Sequence, residues 1–270
     1  MFLAVSVRCC GTDVGGTKLL TVVLDGDQVV ETWKEPVPHA PDELVARLAT
    51  IATEADAGAV GVGCAGAVTR DGVVRYSPNL PLVRELALGE LLAEATGLPV
   101  SVDNDATCAL RAERAMGAAR GVGSAILVTV GTGIGGGLLL DGHIVRGAHG
   151  FAGEIGHMVV DEGGIECVCG RRGCWERYAS GSALHTADFD RIGWWLALGF
   201  VNLDQALDVE RFIVSGGVSE RGDALVEPIR RAWAEHAVGG AGRDRPDIVV
   251  AELGERAGAI GAALLAGGAG

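Results

Sequence analysis

Residues 13–30, DVGGTKLLTVVLDGDQVV, and residues 130–145, VGTGIGGGLLLDGHIV, carry one design about half a chain apart. Each begins at a glycine turn, continues as an apolar run and ends in an Asp-Gly hairpin, and each follows another apolar run. The pattern reads as strand, glycine turn, strand, hairpin, strand. A repeat of this kind implies two similar lobes facing each other. A third glycine turn, Ser215-Gly216-Gly217, ends the apolar run FIVS. Glycines at strand ends let the backbone approach a phosphate closely, and the N–H groups of the turn form an anion nest. Three such turns suit a nucleotide held between two lobes. The spacing is neither that of a P-loop nor that of the dinucleotide fingerprint, because no helix follows DVGGTK directly. Asp13 is placed to hold Mg²⁺ through water, and Thr17 or Lys18 to reach phosphate oxygens.

Outward from these stretches, residues 2–7 read as the first strand, CCGTDVGGTK as its sharp turn, and residues 29–33 as the third strand. A helix is expected over 41–54, a glycine-punctuated strand and loop over 59–68, an irregular segment over 69–81, and a helix over 85–96 stopped by Gly97. PVSVDNDA (99–106) reads as a strand entering a helix that closes at Gly117. Further on come a helix over 189–207, docked into the core by Trp194 and Trp195, a strand at 212–219 and a helix over 224–236. An exposed loop at 239–246, a short strand and a small-residue helix complete the chain.

With 270 residues, 49% of them apolar, the chain suits two lobes with ample core. A net charge of −13 argues against a nucleic-acid partner. Cys9, Cys10, Cys64 and Cys108 are scattered through apolar stretches, which fits free thiols in a reducing compartment. The opening MFLAVSV breaks at Arg8 and is too short for a signal peptide, and no run approaches the ~20 apolar residues of a membrane span. The expectation is a soluble, cytoplasmic protein that engages no membrane.

Residues 149–176, HGFAGEIGHMVVDEGGIECVCGRRGCWE, hold a candidate metal cage. Cys167, Cys169 and Cys174 lie in one short loop with Gly170 and Gly173 between them, and His157 stands upstream. Core cysteines scatter, whereas three thiols and one imidazole make the closed Cys3His set of structural zinc. Such a cage is a staple with no open position, and Glu154 and Glu176 stand at its ends, able to grip something polar. Trp175 reads as packing, and His143, His149 and His185 as ordinary surface or loop residues. Asp103-Asn104-Asp105 lies where a strand becomes a helix. One of the three suffices as a helix cap; a phosphoryl transfer needs an aspartate beside the attacking hydroxyl, and Asp105 is the candidate base.

These residues carry a resemblance. CVCGRRGCWE and GEIGHM, together with DVGGTK, VDNDA, VTVGTGIGGG and IVSGGVS in that order, resemble the bacterial ROK family, and within it the glucokinases. The resemblance covers nearly the whole chain. It implies an α/β, actin/hexokinase-like (ribonuclease H-like) ATPase fold of two lobes with a cleft that closes on sugar and ATP. Lobe one is expected over 1–116, with a C-terminal helix at about 255–268 packing back on it. Lobe two is expected over 117–254, with the zinc loop at 157–176. By the resemblance Asp105 is the base toward a sugar 6-hydroxyl, and Asn79, Asn104, Glu154, His157 and Glu176 hold the other hydroxyls. The loops around Gly66, Asn79 and Ala148 set the fit at the 2-position. Zinc falls to His157, Cys167, Cys169 and Cys174, with His157 serving zinc and sugar through different ring nitrogens. Asp13, Gly15, Gly16, Thr17, Lys18, Thr132 and Gly133 line the phosphates of Mg-ATP, and Gly216 and Gly217 lie near the adenosine.

Two features depart from the family pattern. Between SGSAL (180–184) and the helix at Phe189 this chain has only HTAD, where family members carry a further helical segment toward the nucleotide. Thr12 stands before Asp13 where an apolar residue is usual, and its hydroxyl needs a partner. The expected activity is ATP-dependent phosphorylation of glucose. The alternatives are another sugar (N-acetylmannosamine, N-acetylglucosamine, fructose or a cyclitol) and a catalytically weak sugar-binding protein. A sugar-responsive repressor, also found in the family, is disfavoured because the chain opens directly on a strand. Homo-oligomers, dimers or tetramers, are usual among such relatives.

Overall fold

The computed structural model describes residues 7–183, 188–237 and 244–268. Two compact units emerge, the first comprising Met1–Glu113, Arg146–Ala152 and Arg256–Gly270, the second Arg114–Val145 and Gly153–Glu255.

In the first unit, β1 (Cys9–Val14), β2 (Lys18–Asp25) and β3 (Gln28–Pro36) form an antiparallel meander. On its other edge β1 pairs in parallel with β4 (Ala59–Cys64), and β4 with β8 (Val100–Asn104). Every residue of β4 is buried, as a central parallel strand covered on both faces requires. α1 (Pro41–Glu54) begins with proline and two acidic residues in its first turn, which suit a helix N-terminus, and it packs with α2 (Leu88–Thr96). The C-terminal helix α7 (Ala257–Ala266) packs on β1 and β4. Its approach is backbone to backbone: a Cβ at Gly11 would lie 2.1 Å from the Ala259 oxygen, and one at Gly61 1.8 Å from the Ala262 oxygen. Three short strands, β5 (Ala67–Val68), β6 (Val74–Tyr76) and β7 (Arg84–Leu86), make a small separate sheet. α3 (Asp105–Met116) leaves β8 without a loop.

The second unit repeats the plan. β9 (Ala125–Val130), β10 (Ile134–Leu140) and β11 (His143–Ile144) form the meander, and β12 (Arg211–Ser215) and β13 (Asp247–Val250) extend it in parallel. α4 (Glu176–Ala179), α5 (Phe189–Leu207) and α6 (Asp223–His236) belong to this unit. Its core centres on Trp175, Phe200 and Phe212, with the two phenylalanine rings stacked 4.4 Å apart. Among the described residues no helix is long and apolar enough to cross a membrane.

Several expectations are corrected. Among the described residues the first strand is β1, over CCGTDV, and Val7 lies outside it, while residues 2–6 are outside the described set. The glycine inside this run read as a turn, yet Gly11 is there because α7 leaves no room for a side chain. The third strand runs on to Pro36, well past residue 33. The helix expected from residue 85 begins at Leu88, because Arg84–Leu86 pairs with β6 inside the stretch expected to be irregular. Trp194 is 38% exposed and only Trp195 packs against the core. Of the loop at 239–246, residues up to 243 are outside the described set, as is His185.

Thr12 has its partner. It sits directly opposite Thr21 in the β1–β2 register, and the two buried hydroxyls lie 3.0 Å apart. Thr12→Val should cost about 1–3 kcal/mol by stranding the Thr21 hydroxyl, whereas the Thr12→Val/Thr21→Val pair should recover most of it. Urea unfolding of both variants checks this; a double variant less stable than the single one would contradict it.

Candidate active site and metal centre

In the first unit the polar turn after β8 is built from its own hydrogen bonds. Asn104 Oδ1 accepts from the N–H groups of Ala106 (2.9 Å) and Thr107 (3.1 Å), so Asn104 is the residue that caps α3. Its Nδ2 donates to the Gly66 carbonyl at 3.1 Å. Gly66 has a φ of 118°, and a Cβ there would stand 2.3 Å from the Tyr76 oxygen, so only glycine admits this contact. The loop that follows Tyr76 carries Asn79, which packs under the glycine turn after β1: a Cβ on Gly16 would fall 2.8 Å from the Asn79 Cβ. Asn104, Gly66, Asn79 and Gly16 are thereby linked in one chain of contacts, with Asp105 at its end. Gly15 closes the turn by donating to the Lys18 carbonyl at 3.1 Å, and Thr17 and Lys18 are exposed.

Asp105 Oδ1 accepts from the Ala106 N–H at 2.9 Å, which fixes the carboxylate. Desolvation raises its pKa, and the Ala106 N–H and Asn104 pull it back in part. Burial, together with the negative charge of Asp105, pushes Asp13 up to about 7, against the pull of Lys18. Asp13, raised in part by its neighbour Asp105, is the candidate to hold a cation. Cys64 and Cys108 lie near them, and burial holds both thiols protonated, which leaves them no nucleophilic part.

Asp103, the remaining acid of the trio, is structural. It is 1% exposed, with Arg146 Nε 3.0 Å from Oδ1 and Arg111 Nη2 3.6 Å from Oδ2. Neither arginine carries a sequence signal, since each stands in unremarkable surroundings. Ala148 and His149 line a cavity of about 290 Å³ with Thr69, Arg70 and Arg75. His143 is exposed, its Nδ1 2.8 Å from the Asp141 carbonyl oxygen.

The second unit holds the candidate metal centre. Ligand atoms of His157, Cys167, Cys169 and Cys174 all lie within 4.8 Å of one another. Cys169 and Cys174 Sγ are 3.5 Å apart, and Cys167 Sγ is 3.7 Å from His157 Nδ1. A Zn–S bond of ~2.3 Å gives tetrahedral edges of about 3.8 Å, so this set fits zinc. Gly170 donates to the Cys167 carbonyl at 3.0 Å, folding the loop that presents the thiols, and Arg171 donates to the His157 carbonyl at 2.9 Å. Burial pushes Cys167 up to about 12, helped by its hydrogen bond to Glu176. Burial also opposes ionisation of Cys169, but hydrogen bonds from Arg171 and the neighbouring thiols outweigh it and bring Cys169 to about 6.

His157 faces two ways. Nδ1 turns to the thiols, and Nε2 stands 3.8 Å from Glu154 Oε2. Glu176 Oε1 is 3.7 Å from Nδ1, while its Oε2 occupies the space a Cβ on Gly133 would need, 2.6 Å away. Glu154, His157, Glu176 and the Gly131–Gly133 turn thus form one cluster. Ser182 Oγ donates to the Thr132 carbonyl at 2.7 Å, and Gly181 N–H donates to the Gly131 carbonyl at 2.7 Å. Gly216 follows β12 beside Val130, with Gly217 next to it. Trp175 is fully buried and donates from Nε1 to the Trp195 carbonyl at 2.6 Å, so it packs and stacks on no ligand.

The ROK family description matches residues 9–188 and 186–269, and the chain belongs to the ROK family. The two matches meet where the sequence has its short HTAD link. The glucokinase of Streptomyces coelicolor is 34% identical over 306 aligned positions, covering 95% of this chain and 96% of that protein. A crystal structure of a ROK family glucokinase from Streptomyces griseus, in complex with glucose and AMPPNP, superposes with a TM-score of 0.88 at 31% identity, covering 96% of this chain and 99% of that one. The N-acetylmannosamine kinase of Citrobacter koseri is 35% identical over 181 positions, 65% of this chain and 62% of that protein. The fold is the hexokinase-like one of ROK sugar kinases, and the protein is a sugar kinase, a phosphotransferase.

Purified protein should carry about one zinc per chain by atomic emission, and Cys169→Ser should lose it. Full-length protein that folds normally and retains no zinc would contradict the assignment.

Proposed function

We propose that this sugar kinase transfers the γ-phosphoryl group of ATP to the 6-hydroxyl of glucose, with Asp105 as general base. As the bond from O6 to phosphorus forms, the bond from phosphorus to the ADP oxygen breaks, and the O6 proton passes to the Asp105 carboxylate. Asp105 carries the reading: it is held by the Ala106 N–H, and its raised pKa makes it a better proton acceptor than an exposed aspartate. Bound near Asp13 through water, Mg²⁺ would offset the charge that spreads over the transferred phosphoryl oxygens. Gly15, Gly16, Thr17, Lys18, Thr132 and Gly133 line the phosphates, with Gly216 and Gly217 toward the adenosine.

Sugar hydroxyls both donate and accept. Glu154 and Glu176 accept, Asn79 and Asn104 offer amides, and Gly66 holds the loop that bounds the sugar. His157 would give Nδ1 to zinc, which would leave Nε2 for a hydroxyl. Its ring orientation is then set by the cage. Glucose is favoured by likeness to two Streptomyces glucokinases along nearly their whole lengths. An N-acetylated hexose is the second reading, favoured by the shorter match to the N-acetylmannosamine kinase.

Asp105→Asn should lower kcat for glucose phosphorylation by about 10²–10⁴ while glucose still binds. Coupled ADP release and calorimetry on the same preparations check both halves. Normal turnover by Asp105→Asn would remove Asp105 from the chemistry.

A further inference from the structure

The segment Arg146–Ala152 belongs to the first unit, although β11 before it and Gly153 after it belong to the second. Several contacts fasten it there. Arg146 reaches the buried Asp103 carboxylate and donates from Nη2 to the Thr69 carbonyl at 3.2 Å. Arg70 Nε donates to the Gly147 carbonyl at 2.8 Å, and Gly150 lies so close to the Val68 carbonyl that a Cβ would stand 2.4 Å from it. The strap's first residue is therefore held by an ion pair, and its middle by backbone contact. Gly153 and Glu154 follow immediately, and Glu154 begins the turn that carries His157.

Asp103 also acts on its own strand. Oδ1 accepts the Asn104 N–H at 2.9 Å, the residue that caps α3 and precedes Asp105. One buried carboxylate thus touches the strap on one side and the Asn104-Asp105 turn on the other. Two guanidiniums face it, so its charge is compensated more than once over. A cluster serving only as core filler would need neither the second arginine nor the reach to Thr69.

We propose that Asp103 and Arg146 are positioning residues for sugar recognition. Their ion pair fixes the strap from which Glu154 and His157 follow, and together with the Asn104 N–H it fixes the turn bearing Asn104 and Asp105. This rests on the sugar-kinase reading but not on which sugar is used.

Arg146→Met leaves Asp103 with Arg111 and removes the strap's anchor. Arg146→Lys keeps the charge, but an ammonium lacks the fork that serves Asp103 and Thr69 together. Steady-state kinetics use the sugar that the wild type turns over best, and hydrogen exchange follows residues 146–157. For Arg146→Met the sugar KM should rise by about 10- to 100-fold. The KM for ATP should stay within about two-fold. Exchange across 147–152 should quicken, with Arg146→Lys intermediate in both respects. Should Arg146→Met fail to fold, Arg146→Lys decides. An unchanged sugar KM with unchanged exchange would overturn the proposal, and so would equal rises in the KM values for sugar and ATP. A wild-type protein that phosphorylates no sugar would overturn the sugar-kinase reading instead, and exchange would still show whether Arg146 holds the strap.

Discussion

Close backbone contact with no side chain between sets where the chemical groups of each unit can stand. Helix α7 lies on β1 and β4 at a distance that Gly11 and Gly61 alone permit. The same approach brings Gly258 against Asp13, where a Cβ would lie 2.9 Å from the carboxyl carbon. In the second unit a Cβ on Gly153 would lie 2.2 Å from the Gly136 oxygen, which presses the start of the Glu154 turn onto β10. Glycine here has little to do with flexibility. It removes volume so that a carboxylate can be placed by rigid backbone.

On that backbone the side chains divide their labour. Asp103 is neutralised by two arginines and kept from solvent, Asn104 is taken up by the helix cap and the Gly66 carbonyl, and the Asp105 carboxylate is held by the Ala106 N–H. Three adjacent polar residues therefore have three different electrostatic fates. The metal cluster extends the same logic. Nδ1 of His157 faces thiols and Nε2 faces a carboxylate, so an ion held by the cluster would fix the ring between them.

Much of this was legible in the sequence. The repeat of glycine turn and Asp-Gly hairpin appears as two meanders of the same order, and α1 and α5 have the bounds expected from the sequence. The four candidate metal ligands come together in one cluster. What failed did so for tertiary reasons. Gly11 looked like a turn because the helix it accommodates lies some 250 residues further on, at Ala259. Residues 85 and 86 looked helical because their partner strand, β6, lies within a stretch that read as irregular. Arg146 gave no local sign at all, since its meaning lies in Asp103, 43 residues earlier in the sequence. Thr12 departs from the family pattern, and its explanation is one register partner, Thr21.

The most direct test is the product formed when the protein is incubated with Mg-ATP and glucose, followed by phosphorus and carbon magnetic resonance. The expected products are ADP and glucose phosphorylated on the 6-hydroxyl, formed faster than any product from N-acetylmannosamine, fructose or a cyclitol. Phosphate on a different hydroxyl, or turnover confined to another sugar, would contradict it.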